Sequence, residues 1–143
     1  MLAPAHVHLS GMWVNELMST MNLTAHPSGW LNGWYNSAVG NAQNSYALAG
    51  RFDTAPPGEA NSTGITLGWA VAYQNSDRNA HSTAVWSGQF FAGASEWEDV
   101  IMTQWVLTTS STLENNWGAA RVGGNKFMRQ QSGSEVETQQ VLE

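Results

Sequence analysis

The 143-residue chain predicts an all-β fold, an eight-stranded antiparallel up-and-down β-barrel, on three observations. No segment keeps a helical period for more than a turn or two. Clusters of Gly, Asn, Pro and Ser interrupt the chain roughly every 8 to 12 residues. Between them lie about eight short strand-like segments joined by short links. Short strands with short links suit a meander, and closing it removes two edges that would otherwise pair with other chains. A sandwich satisfies the same rhythm. The length fits one domain burying about two-thirds of its unfolded surface.

Taken in order, the first strand spans 11–17, with Trp13, Asn15 and Leu17 on one face and Ser19 following. The second spans 20–26 and ends in the turn signal His26-Pro27-Ser28-Gly29. In the third, 30–38, Leu31, Gly33, Tyr35 and Ser37 share a face, which Val39 continues toward Gly40 and Asn41. The fourth, 45–53, precedes a longer loop opened by Pro56-Pro57-Gly58-Glu59. The fifth, 65–74, aligns Leu67, Trp69, Val71 and Tyr73; the sixth, 81–91, aligns Ser82, Ala84, Trp86, Gly88 and Phe90. Trp105 and Leu107 share a face of the seventh, 100–110, and the eighth spans 120–129. The barrel domain is therefore expected over 11–130. Residues 1–10 read as a flexible N-terminal segment and 131–143 as a flexible tail, its Leu142-Glu143 fitting a cloning scar.

Composition narrows the function. Eleven acidic against five basic residues give a net charge of −6, so the chain offers no basic stripe for nucleic acid or an anionic membrane. No apolar run approaches the ~20 residues of a membrane helix. Charged residues are 11 % of the chain, under half the roughly 25 % of soluble domains. Instead, 45 residues are Ser, Thr, Asn or Gln. Absent cysteine excludes disulfides, thiol nucleophiles and sulfur-based zinc sites. His6 and His8 form a weak metal signal, and no metal is expected. Ala3-Pro4-Ala5 has the small residues of a secretion-signal end without a long apolar stretch before it, and a secreted location is expected with the leader missing.

Eight Trp in so short a chain require partners for their rings. The strand faces mix these rings with hydroxyls and amides, where an ordinary barrel core would be Val, Ile and Leu. A polar group in a dry interior costs a few kcal/mol unless paired. Two readings stand open on residue types alone: an internally satisfied core, or a cavity whose polar groups meet a small ligand.

Six ordered segments carry a resemblance: Gly11 to Leu17, Tyr35 to Ala42, Leu67-Gly68-Trp69, Arg78 to Ser82, Trp86 to Gln89 and Thr103-Gln104-Trp105. With these the chain resembles the avidin family, its streptavidin-like members in particular, from about Gly11 to Met128. The resemblance implies non-catalytic, high-affinity biotin binding inside the barrel, one site per chain, with no cofactor. By the same carry-over Asn15, Ser19 and Tyr35 would donate to the ureido oxygen, and Ser37 and Asn125 would accept from the ureido N–H groups. The Asn41 backbone and Ser82 would hold the carboxylate; Val39, Gly40, Ala80 and Leu107 would line the walls; Tyr73, Trp86 and Trp105 would box the ring. Trp117 would enter the site of a neighbouring subunit, tying full affinity to a homo-oligomer, a tetramer.

Three positions depart from the streptavidin-like pattern. Ala84 stands where a Thr hydroxyl would meet the thioether, a loss of about 0.5–1.5 kcal/mol. Tyr73 replaces a Trp, costing roughly 1 kcal/mol of apolar contact. Asn125 replaces an Asp, keeps an acceptor oxygen and removes an acid-sensitive carboxylate, so affinity should stay nearly flat between about pH 4 and 7. Trp13 and Trp69 read as core, whereas Trp30, Trp34 and Trp97 have the wrong parity or lie in a loop and suit an interface between subunits. Two other functions compete with biotin binding. A lectin-like or other small-ligand module would also use amides and rings. An enzyme would need a base or nucleophile, yet the inward set holds no Asp, Glu, Lys or His.

Overall fold

The computed structural model describes residues 3–38 and 44–130. After a short helix α1 (Ala5–Leu9) come strands β1 (Gly11–Asn15), β2 (Thr20–Ala25), β3 (Trp30–Asn36), β4 (Ser45–Phe52), β5 (Ile65–Gln74), β6 (Asn79–Phe91), β7 (Val100–Thr109) and β8 (Ala120–Arg129). Each strand pairs antiparallel with the next. β8 returns to β1, with Asn15 opposite Phe127, so the sheet is one closed barrel without an edge and the sandwich is excluded. Single 3₁₀ turns precede β7 (Glu96–Glu98) and β8 (Asn116–Gly118).

Alternation along the strands sorts the side chains. Ile65, Leu67, Trp69 and Val71 of β5 and Ala84, Trp86 and Phe90 of β6 are buried inside. Register places Trp69 opposite Trp86 and Trp86 opposite Trp105, so three indoles form one row across three neighbouring strands. Trp13, Phe90, Ile101 and Phe127 fill the end of the barrel nearer α1, with Trp13 set edge-on to Phe90 at 6.0 Å between centroids. Trp13 and Trp69 are core residues, as parity indicates, and Trp30, Trp34 and Trp97 stand on the outside.

Within the N-terminal segment, residues 3–10 carry the helix α1. Five residues are too few to display a helical period in sequence, but Ala5 and Leu9, four apart, share a helix face and both are buried. The Trp13 Nε1–H donates to the Leu9 carbonyl at 3.0 Å. From the far end of the chain, Arg129 donates to the His8 and Ser10 carbonyls, lies 4.1 Å over the Trp13 ring and pairs with Asp99 at 3.3 Å. The segment therefore stoppers one end of the barrel. The tail expected over 131–143 and the expected site residues Val39, Gly40 and Asn41 lie outside the described residues.

The first strand also ends earlier than expected, at Asn15 instead of residue 17. Its side-chain Oδ1 accepts from the backbone N–H groups of Leu17 and Ser19, each at 3.0 Å, and Met18 takes a left-handed φ of 69°. An Asn that captures the following backbone in this way makes a turn instead of another strand residue.

Candidate functional site

The end of the barrel opposite α1 is hollow, with a cavity of about 840 Å³. Thirteen of the sixteen expected positions line it: Asn15, Ser19, Tyr35, Ser37, Tyr73, Ala80, Ser82, Ala84, Trp86, Trp105, Leu107, Trp117 and Asn125. The remaining three are the undescribed Val39, Gly40 and Asn41. Of the two readings left open by the residue types, the polar interior faces an open space and is not a sealed core.

On one wall, local turn chemistry determines which atoms face inward. Because the two backbone N–H groups hold the Asn15 oxygen, its Nδ2 is left to donate, and it points toward the Tyr35 hydroxyl at 3.5 Å. The Ser19 Oγ accepts from the Ala38 N–H at 2.9 Å, leaving its own proton to donate. Burial pushes the Tyr35 hydroxyl up to about 12, against the lowering effect of its Ser19 and Asn15 hydrogen bonds, and the nearby Glu16 charge adds to the rise. Tyr35 thus keeps its proton through the whole neutral range. Three uncharged donors, two of them oriented by backbone contacts, gather within one corner.

Across the cavity the polarity reverses. Asn125, buried on β8, accepts at Oδ1 from the Trp86 Nε1–H at 3.0 Å and donates from Nδ2 to the Glu16 Oε1 at 3.0 Å. Its oxygen retains a second lone-pair direction for a donor in the cavity. The Thr103 hydroxyl donates to the Asn125 carbonyl at 3.0 Å and holds that stretch of β8.

Between the two walls lie rings. Trp86 stacks on Trp69 at 5.6 Å and 17°, and Tyr35 leans on it at 4.9 Å. Tyr46, which sequence reasoning did not single out, is fully buried and backs Tyr73 edge-on at 5.1 Å. Burial raises the Tyr73 hydroxyl above its ordinary range, with Tyr35 and Tyr46 adding to the rise. Trp105 has room only because its cross-strand partner is Gly123; a Cβ there would sit 2.3 Å from the indole. That complementarity becomes visible only once the register is known.

The mouth adds residues that sequence reasoning missed, among them Thr109, Ser110 and Arg121, together with Leu17 from the Asn15 face of the first strand. Arg121 is the one charged side chain lining the cavity among the described residues. Trp117 reaches the rim of its own chain's cavity and is 89 % exposed. The cavity therefore has neutral donors and a neutral acceptor inside, aromatic walls, and one cation at the entrance. It can hold a small, rigid, mostly neutral ring with an anionic extension, and it presents no Asp, Glu, Lys or His, among the described residues, to act as base or nucleophile.

Comparison with known proteins agrees with this architecture. The family model described as Avidin family matches residues 3–130. The chain is 32 % identical over 126 residues to avidin of Gallus gallus, covering 85 % of this chain and 77 % of the relative. It is 32 % identical over 130 residues to avidin-related protein 1 of Gallus gallus, covering 87 % and 79 %. With avidin-related protein 4/5 of the same organism the identity is 31 % over 124 residues, covering 85 % and 77 %.

Proposed function

Since the chain belongs to the avidin family, we propose that it binds biotin in the hollow half of its barrel, tightly and without transforming it. The observation that carries this reading is the sorted polarity of the cavity: donors Asn15, Ser19 and Tyr35 on one wall, and the Asn125 acceptor across from them. A cyclic urea needs that order. Its carbonyl oxygen accepts several hydrogen bonds at once, and its ring N–H groups donate on the opposite side. Asn15 is held by the turn after β1 and Ser19 by the Ala38 N–H before any ligand arrives, so little orientational freedom is lost on binding. Trp86 and Trp105 supply the apolar faces for a bicyclic ring, and Arg121 at the mouth attracts the acid end of its side chain.

Ala84 and Tyr73 remain the two weaknesses foreseen from sequence. Both line the cavity, and together they cost about 1.5–2.5 kcal/mol, or less than a hundredfold in affinity. Tight binding survives such a loss. Titration with biotin should quench tryptophan emission at one equivalent per chain, with a dissociation constant well below micromolar. Micromolar or weaker binding would overturn the reading.

The same reading includes assembly. Val85, Val106 and Val122 stand side by side on β6, β7 and β8, all pointing outward and 49 %, 46 % and 77 % exposed. An apolar stripe of this kind across three strands suits burial against a second copy. Trp117 gains its missing contacts if it also covers the cavity of a neighbouring subunit in a tetramer. Trp117→Lys should then speed biotin release by roughly a hundredfold, the effect of losing a buried interface Trp, and shift sedimentation toward smaller species. An unchanged release rate would show that no neighbour caps the site.

A further inference from the structure

We infer that Glu16 is a positioning residue which dictates the end of the Asn125 amide that faces the ligand. The inference rests on the biotin reading and adds the control of its acceptor wall.

An asparagine at this point is ambiguous in a way an aspartate is not. Both oxygens of a carboxylate accept, whereas an amide accepts at one end and donates at the other, and rotation by half a turn exchanges them. With the NH₂ turned inward, Asn125 would oppose a ring N–H with another donor. Two contacts of opposite character exclude that rotamer. The Trp86 indole can only donate, and it meets Oδ1 at 3.0 Å. The Glu16 carboxylate can only accept, and its Oε1 meets Nδ2 at 3.0 Å. Flipping the amide would set oxygen against carboxylate and NH₂ against N–H, two repulsive contacts in place of two attractive ones.

Glu16 is itself held for this task. Its Oε2 accepts from the Lys126 backbone N–H at 3.0 Å, so the carboxylate grips β8 at two successive residues, although it lies on the turn after β1, 109 positions from Asn125 in the chain. It is not among the described residues lining the cavity, and it reaches the ligand site through Asn125. A charge bonded to the amide N–H also draws electron density toward the amide oxygen, since hydrogen bonds in series polarise one another. Asn125 thereby gains some acceptor strength of a carboxylate while remaining uncharged.

The protonation of Glu16 agrees with this role. Burial pushes the carboxyl up, but hydrogen bonds from Asn125, its own backbone and Lys126 outweigh burial and hold it below its usual range. The titratable side chain that senses it from β3 is Tyr35, which keeps its proton, and β8 contributes the Lys126 N–H and the neutral Asn125. A lowered carboxyl contributes fully above the ordinary carboxylate range and loses its contribution as pH falls through the folded value. The amide lock therefore persists through neutral and mildly acidic conditions and releases only in stronger acid.

The test is a series of full-chain variants titrated with biotin, alongside NMR of the ligand-free protein. Glu16→Gln, which still offers an acceptor oxygen, should bind within about threefold of wild type. Glu16→Ala should be weaker by about tenfold, and the donor-only Glu16→Lys weaker still. The affinity of wild type should drop in strong acid more than that of Glu16→Gln. Without ligand, the Asn125 side-chain amide signals should shift with Glu16 ionisation in wild type and be averaged in Glu16→Ala. Equal affinity of all three variants, or amide signals indifferent to them, would overturn the inference. If wild type itself failed to bind biotin, the functional reading would fall while the amide signals would still decide the role of Glu16.

Discussion

Asn15→Asp is expected to lower biotin affinity by roughly a thousandfold or more while leaving the barrel folded. The substitution changes one NH₂ to oxygen. Its other oxygen keeps both backbone contacts, to the Leu17 and Ser19 N–H groups at 3.0 Å, so the turn that ends β1 survives. What changes is the group aimed at the cavity. A donor becomes an anionic acceptor, facing the Tyr35 hydroxyl and, on the present reading, the ureido oxygen. Losing the donor removes one of three hydrogen bonds to the ureido oxygen, about 1–3 kcal/mol, and pre-aimed donors in comparable anion-stabilising sites are worth about 3–4 kcal/mol. Repulsion between carboxylate and carbonyl oxygen adds to either figure. Calorimetry should show the loss, and circular dichroism should show the same sheet content as wild type. Retained nanomolar binding would mean that the ligand carbonyl does not sit against Asn15.

Asn15 is picked out from sequence by the family resemblance, and parity agrees with it, since Trp13 and Asn15 share one strand face and both are buried in the structure. The same rule placed Tyr35, Trp69, Tyr73 and Trp86 correctly, since a strand has a two-residue period and little freedom to violate it. What escaped has a common physical origin in contacts that join distant parts of the chain or depend on a short turn. The α1 stopper takes its stability from Trp13 and Arg129 and from no pattern of its own. Gly123 matters because it lies opposite Trp105, a pairing set by register. Glu16 reads as an ordinary surface acid until β8 closes against β1 and brings Asn125 to it. Arg121 looks like a strand-start charge unless one knows that β8 begins at the mouth of a cavity.

Trp86→Ala carries the second large effect, and it acts on fold and site together. The side chain is buried, stacks on Trp69, supports Tyr35 and donates to Asn125. Removing a core ring of this size costs about 3–5 kcal/mol, which for a domain of this length lowers the melting temperature by roughly 10–20 °C. Biotin affinity should fall further than stability alone requires, because the variant loses the floor of the cavity and also one of the two contacts orienting Asn125. Trp86→Phe separates these contributions. It keeps most of the stacking against Trp69 and removes the indole N–H, so the melting temperature should fall by only a few degrees while affinity drops by about tenfold. With the donor gone, Glu16 becomes the sole constraint on the amide, and combining Trp86→Phe with Glu16→Ala should lower affinity by more than the product of the two single effects, as expected for two groups holding one rotamer. Strictly multiplicative losses would show that Trp86 acts by its ring alone and that the polarity of Asn125 is set elsewhere.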